Sequence, residues 1–97
     1  MLIRQLRSGR FPLGRVLATP GALEALEKAG EQPQEFLNRH VNGEWGEGDC
    51  HDAAENEYSL ERGFRLLSSY TTAAGDTLWI TTEADRSATI LLLPEEY

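Results

Sequence analysis

Residues 64–93, FRLLSSYTTAAGDTLWITTEADRSATILLL, decide the fold, because apolar and polar side chains alternate along most of this stretch. A repeat of two is typical of a half-buried strand. Turn residues at 74–76 and 84–87 divide the stretch into three runs. Pro94 ends the last run, since proline cannot continue a sheet ladder. We therefore expect a three-stranded antiparallel meander.

The sequence before this stretch predicts one short strand and three helices. Residues 16–18 are apolar, as in a strand, and a Thr-Pro pair then begins a helix over 20–29. A second helix, 33–42, also begins with proline and stops at a glycine. A third helix follows a capping Asp49 and ends at Gly63. We predict an α+β fold: a short N-terminal strand, three helices, then the meander packed against the helices.

Length and composition suit one domain spanning residues 1–97. The net charge of −7 is unevenly spread: residues 1–15 carry four arginines and no acid, whereas the rest carries five basic and sixteen acidic residues. We expect residues 1–12 to form a basic, flexible arm. The single cysteine and the lack of a long apolar run favour a cytoplasmic protein without a membrane segment. The sequence indicates no oligomeric state.

Four metal-competent donors lie within thirteen residues: His40, Cys50, His51 and Asp52. Their spacing matches no zinc-binding pattern, and adjacent cysteine and histidine are awkward ligands for one ion. We predict no metal and no cofactor.

The stretch 44–61 holds seven acidic residues and no basic one. A field of this sign repels phosphates, so direct binding of nucleic acid is not expected, and it attracts a basic protein surface. Solubility alone would also account for the acids, and the tryptophan in this stretch could plug the core edge. The candidate binding residues are Glu44, Trp45, Glu47, Asp52, Glu55, Asn56, Glu57 and Asp85. Partner binding predicts that the five glutamates and aspartates between 44 and 57 in this set share one exposed face.

A catalytic alternative rests on His40, Glu83 and Arg86. His40 would act as acid or base, with Glu83 as base and Arg86 as an anion clamp. The non-catalytic interpretation gives His40 a structural hydrogen bond and makes residues 82–87 an ordinary turn. Catalysis requires the second helix and the last hairpin to converge around one cleft.

Three segments resemble a family of short proteins encoded on bacterial plasmids and integrative elements: 37–46, LNRHVNGEWG; 82–89, TEADRSAT; and 92–97, LLPEEY. The resemblance covers about residues 13–97 and implies a shared pocket or interface rather than a particular activity. Family members usually carry Asp where this chain has Glu44. The residues that match the family pattern are His40, Trp45, Gly46, Asp52, Asn56, Glu83, Asp85 and Arg86.

We predict an acidic accessory protein of a mobile element that binds and inhibits a host defence or nucleic-acid-handling protein. Its partner would carry a basic surface, and inhibition of the anti-CRISPR or anti-restriction type could include nucleic-acid mimicry. The alternative is a small nuclease-like hydrolase that uses His40, Glu83 and Arg86. Its order of helices before a meander is similar to the small microbial ribonuclease fold, an analogy that carries no function by itself.

Overall fold

The computed structural model describes residues 9–46 and 50–97. For residues 50–52 it describes the backbone but not the side chains. The elements in chain order are β1 (Arg15–Ala18), α1 (Pro20–Ala29), α2 (Pro33–Val41), α3 (Cys50–Arg62), β2 (Leu66–Thr71), β3 (Thr77–Thr82), β4 (Ala88–Leu92) and a 3₁₀ turn (Pro94–Glu96). The chain is α+β, as predicted. Within the described residues, no helix has the length and apolar character needed to cross a bilayer.

The sheet has four strands, in the order β1-β4-β3-β2. β2, β3 and β4 form the predicted antiparallel meander, with Ser69 opposite Trp79. β1 joins the same sheet, because it runs parallel to β4 with Val16 beside Thr89. This corrects the prediction of a three-stranded sheet preceded by a separate strand. The alternation of a sequence assigns side chains to faces, but it does not reveal that the two ends of a chain pair.

One face of the sheet, here called the inner face, carries the main core. Leu66, Ser68 and Tyr70 of β2 are fully buried on it, at alternate positions. Helices α1 and α2 cover this face, as predicted. The third helix, α3, lies instead at the edge of β2, where its Asn56 bonds to the backbone of Leu67, and it borders a cavity on the opposite, outer face. The prediction that the helices pack together on one face is therefore correct for α1 and α2 only. The main core cluster consists of Ala22, Leu26, Phe36, Leu37, Tyr70, Leu78, Ile80 and Leu91.

The predicted element bounds hold to within about two residues, the usual uncertainty of element ends. The hydroxyl of Thr19 accepts a hydrogen bond from the N–H of Ala22 at 3.1 Å and so caps α1. Gly63, at φ +77°, ends α3 as predicted. β2 begins at Leu66, two residues later than expected, and Phe64 lies outside it with 52% of its surface exposed.

The segment before β1 packs against the body of the domain. Phe11 is 8% exposed and belongs to a second core cluster with Trp45 and Leu66. The backbone N–H of Arg10 donates to the carbonyl of Val41 at 2.7 Å. These contacts correct the prediction of a flexible arm for Arg10 and Phe11. Residues 1–8 of that arm lie outside the described residues.

Candidate functional site

His40 lies in the last turn of α2 with none of its surface exposed. Its Nδ1 is 2.5 Å from Ser68 Oγ on β2, and its Nε2 is 2.9 Å from Thr82 Oγ1 on β3. Thr82 is the last residue of β3, next to the final hairpin. The second helix and that hairpin therefore converge, as the catalytic alternative requires.

The neighbouring hydroxyls fix the tautomer of His40. Thr89 Oγ1 lies 2.7 Å from the carbonyl oxygen of Leu13 and must donate to it, because a carbonyl only accepts. Thr89 can then only accept from the Thr82 hydroxyl, 2.8 Å away. Thr82 has a lone pair left for the imidazole, so Nε2–H donates to Thr82 and Nδ1 accepts from Ser68.

Aromatic rings and burial complete the surroundings of His40. Phe11 and Trp45 meet the imidazole edge-on, with ring centroids 5.3 and 5.7 Å away. Burial, and after it the positive charge of Arg86, lowers the pKa of His40 from 6.5 to about 4. The ring is neutral at pH 7, enclosed, and hydrogen-bonded at both nitrogens. This arrangement matches the non-catalytic interpretation of His40.

The guanidinium of Arg86 donates its hydrogen bonds to backbone carbonyls. Its Nη1 donates to the carbonyl oxygens of Phe64 at 2.8 Å, Glu83 at 2.9 Å and Ala84 at 3.2 Å. The guanidinium also lies over the ring of Phe11, 5.7 Å from the centroid. The backbone of Arg86 has φ +62°, a conformation that residues other than glycine rarely adopt. The geometry makes Arg86 a clamp between the hairpin and the end of α3.

The other hairpin residues have local partners. The Glu83 carboxylate lies 3.6 Å from Arg65 Nη2. Asp85 Oδ1 accepts from the N–H of Ser87 at 3.0 Å, which is the turn role expected of an aspartate at this position. His40, Glu83 and Arg86 are thus neighbours in the fold without an accessible cleft between them, because His40 is fully enclosed.

Glu57 on α3 joins three parts of the chain. It accepts from Arg10 Nη1 and Nη2 at 2.8 and 2.9 Å, and from the indole N–H of Trp45 at 3.0 Å. These hydrogen bonds, that of Arg10 above all, lower the pKa of Glu57 from 4.5 to about 2. Trp45 is 8% exposed and fills the edge of the core, which is the alternative to a binding role that the sequence left open. Trp45 and Glu57, both predicted to bind a partner, therefore make contacts that stabilise the fold itself.

Asn56 protects an exposed strand edge. Its amide nitrogen donates to the carbonyl oxygen of Leu67 at 2.6 Å, and its Oδ1 accepts from the N–H of Leu67 at 3.0 Å. Trp45 continues this protection, because its carbonyl accepts from the N–H of Ser69 at 3.2 Å. A Cβ on Gly46, which has φ +94°, would collide with the Ser69 carbonyl, so only glycine fits there. The Asn56 side chain and the loop at Trp45 together bond to the backbone groups at the edge of β2 that no neighbouring strand pairs with.

A cavity of about 630 Å³ lies where α3 meets the outer face of the sheet. We call it the Trp79 cleft. It brings together three predicted residues, Trp45, Glu55 and Asn56, and two that sequence reasoning missed, Arg65 and Trp79. Strand alternation could have found Trp79, since it stands out of step with the buried positions on either side of it. The lining residues are Gly43, Trp45, Gly46, Ala53, Glu55, Asn56, Ser59, Arg65, Leu67, Ser69 and Trp79.

The predicted acidic residues do not all share one face. Glu55 lines the Trp79 cleft, whereas Glu57 lines a smaller cavity with Arg10 on the other flank of α3. Two residues along a helix are about 200° apart around its axis, which accounts for this separation. Glu44 lies beyond α2, 3.8 Å from Arg39 Nε, with 64% of its side chain exposed. Glu47 and the side chain of Asp52 lie outside the described residues.

Within the described part of the chain, no three His, Cys, Asp or Glu side chains gather where they could hold a metal ion. Three of the metal-competent residues considered from the sequence, Cys50, His51 and Asp52, have side chains that lie outside the described part of the structure. Comparisons with protein-family models, with curated proteins and with solved structures find no match for this chain.

Proposed function

We propose that this protein is a non-catalytic inhibitor that binds the basic surface of a host defence or nucleic-acid-handling protein. Grooves that hold nucleic acid are lined with Lys and Arg, so they offer an acidic domain a complementary charge. The resemblance to proteins of mobile elements supports a partner of this kind.

The exposure of the carboxylates carries this proposal. Of the thirteen acidic side chains that the structure describes, ten are exposed and three are partly buried. Four of the seven described basic side chains pair with carboxylates of the same chain: Arg10, Lys28, Arg39 and Arg65. A fifth, Arg86, turns inward to carbonyls. The outward field of the described domain is therefore negative.

The negative field attracts a basic surface without mimicking nucleic acid. A mimic presents carboxylates in a row at the spacing of phosphates, but Glu55 and Glu57 line cavities on different flanks of α3. The carboxylate of Glu57 is also held by Arg10 and Trp45. Glu24 and Glu27 on α1 are exposed and contribute to the negative field.

The test is displacement of labelled DNA from purified restriction and guide-RNA nucleases at about 50 mM and about 500 mM NaCl. We expect displacement at low salt and a steep loss at high salt. Glu24→Gln with Glu27→Gln should weaken it several-fold, and Lys28→Gln on the same helix should not weaken it. Failure to displace DNA from any basic nuclease at low salt, or displacement that ignores salt, would contradict the proposal.

A further inference from the structure

The two edges of the sheet differ in how their backbone groups are satisfied. At the β2 edge, the Asn56 side chain and the Trp45 carbonyl bond to the backbone of the strand. β1 is the outermost strand at the other edge, and no backbone group among the described residues bonds to its open side. We propose that β1 pairs there with β1 of a second copy of this chain, which joins two four-stranded sheets into one. Pairing of this kind does not depend on what the acidic surface binds.

The open side of β1 presents the backbone groups of two residues. The N–H groups of Arg15 and Thr19 both donate at 3.0 Å to carbonyls on the β4 side. Backbone groups alternate in direction along a strand, so Val16 and Ala18 turn their N–H and C=O groups away from β4. Within the described part of the chain, neither of these two residues has a partner on that side. Two donors and two acceptors are therefore available to a neighbouring strand.

The side chains at this edge are apolar on both faces of the sheet. Val16 and Leu17 are 46% and 43% exposed, and Leu23, in the first turn of α1, is 50% exposed. Ala18 packs against the main core, so Val16 lies on the same, inner side and Leu17 lies on the outer side. Protected edges carry charges, prolines or bulges instead. A strand added beside β1 would therefore cover apolar surface on both faces.

Leu17 ends a row of aligned side chains that crosses the outer face. From β2 to β1, the residues in register are Leu67, Thr81, Ile90 and Leu17. A two-fold axis at Leu17 places Leu17 of the second copy directly opposite, so the row continues into the second sheet. In the same register Val16 faces Ala18 of the other copy, and four N–H···O bonds join the two strands. The β1 edge is therefore complementary to itself.

The charges at this edge also match a second copy. Among the described basic side chains, Arg15 alone has no carboxylate, carbonyl or aromatic partner. The two-fold register puts it opposite Thr19 of the second copy, whose hydroxyl donates to the exposed Glu96 carboxylate at 2.5 Å. Directly opposed residues lie close enough for the long Arg15 side chain to reach that carboxylate. Two Arg15–Glu96 ion pairs can form in each dimer, and no like charges face each other across the strands.

The interface is small, so the dimer is weak. Stable interfaces bury about 800 Å² on each partner, more than one turn of helix and a strand of four residues provide. Repulsion between copies of net charge −7 also opposes association at low salt. We expect a dissociation constant on the order of 100 µM at about 150 mM salt.

Amide hydrogen exchange of the full-length protein reads the pairing residue by residue. At that affinity, raising the protein from about 20 µM to about 1 mM lowers the monomer fraction from about three-quarters to about one-fifth. The amides of Val16 and Ala18 should therefore exchange about fourfold more slowly at the higher concentration. The amides of Leu17 and Thr19 point to β4 and should not change. Sedimentation equilibrium over the same range gives the dissociation constant.

Two substitutions test the contacts separately, each with a matched control. Leu17→Lys brings two like charges together across the two-fold axis and should weaken dimerisation at least about tenfold. Leu67→Lys, at the other end of the same row, should leave it unchanged. Arg15→Gln removes the ion pairs and should weaken dimerisation about threefold. Arg62→Gln produces the same net charge and should have no effect, because Arg62 lies over Tyr58 on α3.

A disulfide tests the register in a Cys50→Ser background, with oxidised glutathione taking up the thiol hydrogens. Leu17→Cys should cross-link to its copy, because the two Cα atoms lie about 4.5 Å apart in such a pair. Val16 is similarly exposed, which makes Val16→Cys the matched control. Its two copies are offset by two residues and lie about 8 Å apart, so they should cross-link at least about tenfold more slowly.

A protein that remains monomeric at about 1 mM would overturn the inference. So would a dimer in which the Val16 and Ala18 amides exchange as fast as in the monomer, or equal cross-linking of Val16→Cys and Leu17→Cys. Slow exchange of both amides at every concentration would assign the edge to another segment of the same chain and would overturn it as well.

Discussion

Acidification from pH 7 to pH 5 should destabilise the fold through His40. The pKa of His40 is lowered to about 4 in the folded protein and returns to about 6.5 when the chain unfolds. Between these values the unfolded chain binds a proton that the folded chain refuses. Stability from this group is therefore fully present above pH 6.5 and is lost as the pH falls towards 4.

The size of the effect follows from the two proton affinities. They differ by a factor of several hundred, which corresponds to about 3 kcal/mol of unfolding free energy over the whole range. By pH 5 nearly all unfolded chains carry the proton and about a tenth of folded ones do, so about 2 kcal/mol is already lost. Glu57, whose pKa is lowered to about 2, loses its contribution only below pH 4.5. The interval from pH 7 to 5 therefore isolates the histidine.

Urea unfolding at several pH values measures this loss. The experiment uses a His51→Gln background, in which His40 is the single histidine. Adding His40→Gln should lower stability at pH 7 and flatten the slope between pH 7 and 5. Should the double variant fail to fold, the imidazole Cε1–H resonance of His40 in the His51→Gln protein gives the same answer. It should keep its neutral position down to about pH 5.

An equal loss of stability with and without His40 would refute this reasoning. So would an imidazole resonance that titrates near pH 6.5 in the folded protein. Either result would mean that water reaches the ring, or that Ser68 and Thr82 accept both ring protons of the charged form.

Three further substitutions test the contacts around the cleft and the hairpin. Arg86→Lys keeps the positive charge but loses the guanidinium, whose Nη1 donates to three backbone carbonyls, and should cost about 2 kcal/mol in urea unfolding. Glu57→Gln should cost less than about 1 kcal/mol at pH 7, because its ion pair is half-exposed. That cost should decrease as the pH falls from 4.5 and vanish only below about pH 2, since the wild-type carboxyl is then protonated in the folded protein as well. Gly46→Ala should lower the thermal midpoint far more than Gly75→Ala, although both residues have φ above +90°, because only Gly46 lies against Ser69.

Each of these has a result that contradicts it. Arg86→Lys with wild-type stability would mean that the carbonyls it serves are satisfied by water. A cost for Glu57→Gln that persists in full below about pH 2 would assign the loss to packing rather than to charge. Equal midpoints for Gly46→Ala and Gly75→Ala would remove the close approach between the loop and β2.

The local elements of this fold could be predicted from sequence, because their signals are local. The Thr-Pro start of α1, the glycine after it and the alternation of β2 and β3 each depend on neighbouring residues alone. The parallel pairing of β1 with β4 could not, since it joins residues 15–18 to residues 88–91 across the length of the domain. Four residues carry too short a pattern to specify a partner strand.

The contacts of the candidate site residues could not be predicted from the sequence. The sequence marks His40, Trp45, Asn56 and Arg86 as candidates because of their side-chain types. Side-chain type does not show where each donor and acceptor is used, and in the structure their hydrogen bonds go to hydroxyls, backbone groups and Glu57. Arg65, which neither motif nor charge run marked, lines the accessible cleft.

Three of the motif residues act on three consecutive residues of one strand. His40 holds the Ser68 hydroxyl, Asn56 holds both backbone groups of Leu67, and the Trp45 carbonyl holds the N–H of Ser69. Leu67 and Ser69 line the Trp79 cleft, while Ser68 faces the core between them. The buried set therefore fixes the strand from which the exposed cleft is built. A change at His40 should consequently reach the cleft through β2, as a shift in the Leu67 and Ser69 amides of the folded protein. Unchanged amides at both positions would show that the core and the cleft are independent.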